Sequence, residues 1–81
     1  MPQRKPLILV VDDDQIVNEF IAETLSRAGY QVDVSYSGED GLEKIKDKPY
    51  DILISDIKMK GMDGIALLQK SLEVQPELTA I

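Results

Sequence analysis

The sequence predicts an α/β fold, a parallel sheet with helices on both faces, and three observations predict it. Two apolar, β-branched runs, Leu7 to Val11 and Ile52 to Ile54, lead within a residue or two into aspartates. Amphipathic stretches of helical period separate the strand-like runs, with short connections between them. Strand and helix signals alternate along the whole chain, the pattern of right-handed crossover units.

Leu7 to Val11 is continuously apolar rather than alternating, as expected of a central strand covered on both sides. From Gln15 the period lengthens: Ile16, Val17, Phe20, Ile21, Thr24, Leu25 and Ala28 fall on one stripe, with Asn18, Glu19, Glu23 and Arg27 opposite. Asp13 or Asp14 is placed to cap this helix, and Gly29 to end it. Gln31 to Tyr36 alternates polar and apolar residues, which fits a strand with one wet face or a place at the sheet edge. Ser37 with Asp40 is a capping pair for a short helix that turns Leu42 and Ile45 inward. Lys44, Lys46 and Lys48 gather near its end, where they read as solvated surface, and Pro49 closes it. Gly41 inside that helix costs about 1 kcal/mol relative to Ala. Tyr50 to Asp56 repeats the first theme, and Lys58 to Gly64 is a loop by its glycines. Ile65, Leu68 and Leu72 mark a third helix ending near Pro76, and Leu78 to Ile81 begin a fourth strand.

With 81 residues the chain has room for one small domain. Cysteine and histidine are both absent, which removes disulfides, thiolate or imidazole zinc sites, the usual general base and phosphohistidine chemistry within this chain. A formal net charge of -6 argues against a nucleic-acid surface, and the basic opening, Arg4 and Lys5, is too short to change that. The apolar run Leu7 to Val11 is far shorter than a membrane span, and the acids after it do not suit a signal peptide. The expectation is a soluble, cytoplasmic protein.

In parallel sheets of this kind ligands bind beyond the carboxyl ends of the strands, which singles out Asp12, Asp13, Asp14 and Asp56. If the two apolar strands are neighbours, their carboxylates meet in one crevice and repel, so the cluster needs a cation. Ligands that offer only oxygen suit a hard divalent ion, Mg2+ above all. A nucleophilic Asp beside Mg2+ makes a workable aspartyl-phosphate site. The plainer reading is helix capping, which accounts for a member of the first group and leaves Asp56 unexplained.

Leu7 to Asp14, with its strand running into Asp12-Asp13, then Ile52-Leu53-Ile54-Ser55-Asp56-Ile57-Lys58-Met59 and Met62-Asp63-Gly64, resembles the receiver domain of bacterial two-component response regulators. The similarity runs from about Pro6 to Ile81 with spacing intact. It implies a flavodoxin-like sheet, of which this chain holds three full βα units and the start of a fourth strand, with strand order 2-1-3-4-5. It implies that Asp56 is the phosphoacceptor, that Asp13 and Asp56 bind Mg2+ directly, that Asp12 holds it largely through water, and that the Lys58 backbone carbonyl completes the protein ligands. Gly64 is assigned to the turn into the third helix. The donor implied is a sensor histidine kinase, and the chain itself is not expected to be an enzyme. Lys60 stands where the family commonly has Pro.

The resemblance further implies that the family's switch Ser or Thr and its Lys fall beyond Ile81. Residues 6–81 then read as the N-terminal two thirds of a receiver domain, after a tail over 1–5, without the final strands and the last two helices. The third strand's edge and part of the first helix's stripe are expected to lie uncovered, and the exposed strand, or the Leu78 to Ile81 tail, to pair or swap with its twin in a homodimer or higher oligomer, most simply about a two-fold axis; the alternative is a marginal, partly molten chain. Two other readings stay open. One is a structural or association fragment that no longer signals; the other parses Asp12-Asp13-Asp14 as the D-x-D nucleophile motif of haloacid-dehalogenase-like phosphatases.

Overall fold

The computed structural model describes residues 5–59 and 61–81, so residues 1–4 of the expected tail, and Lys60, lie outside the described residues. Its elements are β1 (Leu7–Val11), α1 (Gln15–Arg27), β2 (Gln31–Ser35), α2 (Gly38–Asp47), β3 (Ile52–Ser55), α3 (Gly64–Val74) and β4 (Thr79–Ala80). All strands pair in parallel, in the order β2-β1-β3-β4 expected of a flavodoxin-like sheet. Side chains alternate along each strand, so Leu9 and Val11 of β1 and Leu53 of β3 join Leu42, Ile45, Tyr50, Leu67 and Leu78 in one core against α2 and α3. Ile8 and Val10 point the other way and are buried on the side where α1 packs on β1 and β2.

The capping residues act as their chemistry suggests. Asp14, rather than Asp13, caps α1 by accepting from the amides of Ile16 and Val17 at 3.0 and 3.3 Å. Ser37 Oγ accepts from the Asp40 amide at 3.1 Å at the start of α2. Asp63 does the same for α3 through the Ala66 amide at 2.8 Å. Gly29 ends α1 with φ of 102°, a left-handed conformation that a side chain would strain. Gly41 is required by packing, since a Cβ there would lie 2.8 Å from Val11 Cγ2.

Three expectations change. The face that α1 turns to the sheet is Asn18, Ile21, Ala22 and Leu25, so Asn18 is fully buried while Ile16 is 79% and Phe20 70% exposed. The apolar arc of α1 is broader than the two strands beneath it can cover, and its exposed half is the uncovered stripe that the sequence leads one to expect. The third strand is not an edge, because β4 pairs with it in the register Ile52↔Thr79 and Leu53↔Ala80. The edges are β2 and β4. The lysines near the end of α2 are not all mere solvated surface: Lys44 Nζ donates to the Val34 carbonyl on the outer side of β2, whereas Lys48, just past the helix, is exposed as expected and its Nζ meets Asp33 at 3.2 Å. Lys46 does stay outside, 3.6 Å from Glu43.

Asp33 also accepts from the Tyr50 hydroxyl at 2.6 Å, which ties the edge strand to the segment before β3. That bond, and then Lys48, hold the Asp33 carboxyl below its ordinary value despite some desolvation. A depressed carboxyl contributes stability that is complete above the unfolded value and is lost as pH falls through the folded one. Urea melts of the chain and of Asp33→Asn should therefore differ most near neutrality and converge below about pH 4. A gap that stays constant down that range would show that Asp33 is held by packing alone.

Candidate functional site

The site begins with strand register. Val11 of β1 is level with Ser35 of β2 and with Ser55 of β3, so the next residues, Asp12 and Asp56, leave the sheet side by side. Backbone hydrogen bonds continue the ladder past the strand ends: the Asp12 amide donates to the Ser35 carbonyl at 3.1 Å and the Asp56 amide to the Val11 carbonyl at 3.0 Å. β1 is connected onward to β2 on one side, while β3 lies on its other side, and such a reversal of winding direction is where open α/β sheets leave a crevice.

Three of the predicted ligands meet there. Carboxylate oxygens of Asp12, Asp13 and Asp56 all lie within 4.8 Å of one another. Asp12 is buried and its Oδ1 accepts from the Asp14 amide at 2.9 Å, which fixes its side chain. Asp13 is exposed and Asp56 keeps access to solvent. Asp14 does not join them, being engaged as the cap of α1. Lys58 stands on the loop after Asp56 with its side chain exposed.

The donor set fits a small hard cation. At the usual Mg2+ bond lengths, ligand oxygens stand about 3 Å apart when adjacent and about 4.2 Å when opposite, so oxygens within 4.8 Å of one another are close enough for side-chain rotation to bring them around one ion. All the side-chain donors are carboxylate oxygens, which suit Mg2+ and disfavour softer metals. Like charges gathered this closely are costly without a counter-charge.

The neighbouring loop is held from α2 and by one glycine. Glu39 Oε2 accepts from the Met62 amide at 3.2 Å, and a Cβ on Gly61, whose φ is 76°, would lie 2.6 Å from the same oxygen. At Gly64 an added Cβ would stand 2.2 Å from the Asp56 carbonyl oxygen, so the turn into α3 crosses directly against the residue at the heart of the site. Sequence reasoning places Gly64 correctly and passes over Glu39 and Asn18. Asn18 carries a signal, since it shares helical spacing with Ile21, Ala22 and Leu25, the residues that do face the sheet.

The family model of the response regulator receiver domain matches residues 8–81. The chain belongs to the response-regulator receiver family. Among receiver relatives, the response regulator receiver protein CpdR of Brucella abortus is 35% identical over 71 residues, which is 88% of this chain and 59% of that protein. The DNA-binding transcriptional regulator NtrC of Escherichia coli is 36% identical over 78 residues, 96% of this chain and 17% of that much longer one. A CheY-like receiver domain protein from Methanospirillum hungatei superposes with a TM-score of 0.92 at 30% identity, covering 95% of this chain and 62% of its own. The receiver chain thus spans less than two thirds of the length of these relatives. Receiver domains are signalling modules of two-component systems, generally not enzymes, and are phosphorylated by sensor histidine kinases.

Because the clash at Gly64 is with backbone, no side-chain rotation relieves it. Gly64→Ala should lower stability by about 1–3 kcal/mol in urea denaturation. An unchanged midpoint would mean that the turn has room to spare.

Proposed function

We propose that this receiver domain accepts a phosphoryl group on Asp56 with Mg2+ held by Asp12, Asp13 and Asp56. What carries the reading is the convergence of the three carboxylates within 4.8 Å at the carboxyl ends of β1 and β3. In the transfer, an Asp56 carboxylate oxygen attacks the phosphorus of a kinase phosphohistidine; the new O–P bond forms as the N–P bond breaks, and the imidazole leaves with that electron pair. Asp56 is suited to the role because it keeps solvent access, whereas Asp12 is buried and held by the Asp14 amide. Asp13 would bind the ion directly, Asp12 largely through water, and the Lys58 carbonyl would supply a further oxygen. Bound Mg2+ offsets negative charge on the phosphoryl oxygens.

The test is labelling with a small acyl phosphate donor in Mg2+, read by intact mass. The chain should gain one phosphoryl group, and Asp56→Asn and metal chelation should each abolish the gain. Labelling that survives Asp56→Asn would move the acceptor elsewhere and defeat the assignment. Steady release of phosphate from a simple monoester would favour the phosphatase reading instead.

We further propose that two copies associate through the outer edge of β4. The amides of Thr79 and Ile81 donate to the Asp51 and Leu53 carbonyls of the β3 segment, so by strand alternation Ala80 turns its amide and carbonyl outward. The β2 edge is less available, because Lys44 occupies the Val34 carbonyl. Ile81, 76% exposed, supplies apolar surface beside that edge. Sedimentation at micromolar concentration should show a dimer that Ala80→Pro converts to monomer, since proline there removes an outward donor and spares the bonds to β3. A wild-type monomer that unfolds cooperatively would end this proposal.

A further inference from the structure

α1 is not merely a cover for the sheet, because one polar residue of its sheet face reaches the strand ends beneath the carboxylate cluster. Asn18 is completely buried. Its Nδ2 donates to the Asp12 backbone carbonyl at 3.0 Å and to the Ser35 carbonyl at 2.7 Å. The two acceptors are both carbonyl oxygens, so the amide has only one workable orientation, as reversal would set oxygen against oxygen. The other end, Oδ1, is buried with no hydrogen-bond partner among the described residues. An apolar side chain of similar volume would remove that unmet acceptor but would leave the Asp12 carbonyl without the donor it has here. The asparagine is therefore tied to the strand ends through the two carbonyls that its amide serves.

We infer that Asn18 is a positioning residue for the Mg2+ site, acting through the Asp12 peptide. It rests on the reading that Asp12, Asp13 and Asp56 hold that ion. Asp12 is the link through which β1 passes into the loop, and each of its groups is restrained. Its amide is bound to Ser35, its carbonyl to Asn18, and its carboxylate to the Asp14 amide. The Ser35 carbonyl accepts from both the Asp12 amide and Asn18, so a single side chain locks the ends of β1 and β2 and the first turn of α1 together. That lock sets the direction in which Asp12 and Asp13 leave the strand toward Asp56. Removing it frees the Asp12–Asp13 peptide to turn, and the spacing of the carboxylates loosens while the apolar core against α2 and α3 is untouched. Groups that orient metal ligands from behind in this way are worth about 10- to 100-fold in metal affinity.

The experiment is a calorimetric Mg2+ titration of the wild-type chain, Asn18→Leu and Asp56→Asn, with acyl phosphate labelling followed at several Mg2+ concentrations. Asn18→Leu should raise the half-saturating Mg2+ concentration at least tenfold, yet approach the wild-type labelling plateau at saturating Mg2+. A purely structural role would lower the plateau and leave the half-saturation point in place. If folded Asn18→Leu binds Mg2+ within about twofold of wild type while Asp56→Asn does not bind, the role of Asn18 is refuted and the metal site stands. Equal titrations of wild type and Asp56→Asn refute the metal reading and the Asn18 role with it. Should Asn18→Leu fail to fold, the side-chain amide protons of Asn18 are followed by NMR in the wild-type chain. Slow exchange and a shift on Mg2+ saturation support the inference; resonances unmoved by Mg2+ overturn it.

Discussion

The parallel register between β1 and β3 is the constraint on which everything else in this chain depends. Val11 beside Ser55, extended by the Asp56 amide on the Val11 carbonyl, fixes two acidic strand ends at neighbouring positions. A slip of β3 by one residue would turn Leu53 away from Leu9 and Val11 and carry Asp56 away from Asp12 at the same time. The apolar core and the acidic site are thus specified by one pairing. Burying side chains such as Leu9 and Leu53, each worth about 1.5–3 kcal/mol, holds like charges together that would otherwise separate.

The glycines show how tightly the rest is fitted to that pairing. Gly41 lets α2 approach Val11, the last residue of β1, and Gly64 lets the turn into α3 cross the Asp56 carbonyl. Helix propensity counts against Gly41, but a methyl group would meet Val11 at 2.8 Å. Close approach of helices to strand ends outranks local preference where the site is built.

Strands β1 and β3 are legible in the sequence because a short, continuous apolar run that leads into acids suits a covered strand with a polar end and little else. The Asp14 and Ser37 caps follow from short polar side chains at helix entrances. The acids of the site are legible for the same reason as the strands that carry them. The facing of α1 is not, because hydrophobicity alone measures its stripe and counts Asn18 as polar and therefore outward. Two backbone carbonyls at the strand ends make that position a good one for an amide, and no sequence pattern displays carbonyls. Lys44 misleads likewise, since its stem spans from α2 to the Val34 carbonyl. The chain matches the receiver family over residues 8–81, while the contacts that support the carboxylate cluster join residues far apart in sequence.

Lys44 has a consequence for how far self-association of this chain is able to run. A sheet with two bare margins invites a third molecule after a second, and so a growing fibre. Here one margin carries an ammonium group on its outward Val34 carbonyl, while the other turns the backbone groups of Ala80 outward. In the dimer proposed above, pairing through Ala80 would use up that margin in both copies and leave the β2 margins, each with a Lys44 ammonium on it, facing outward. Assembly of that kind closes on itself instead of propagating.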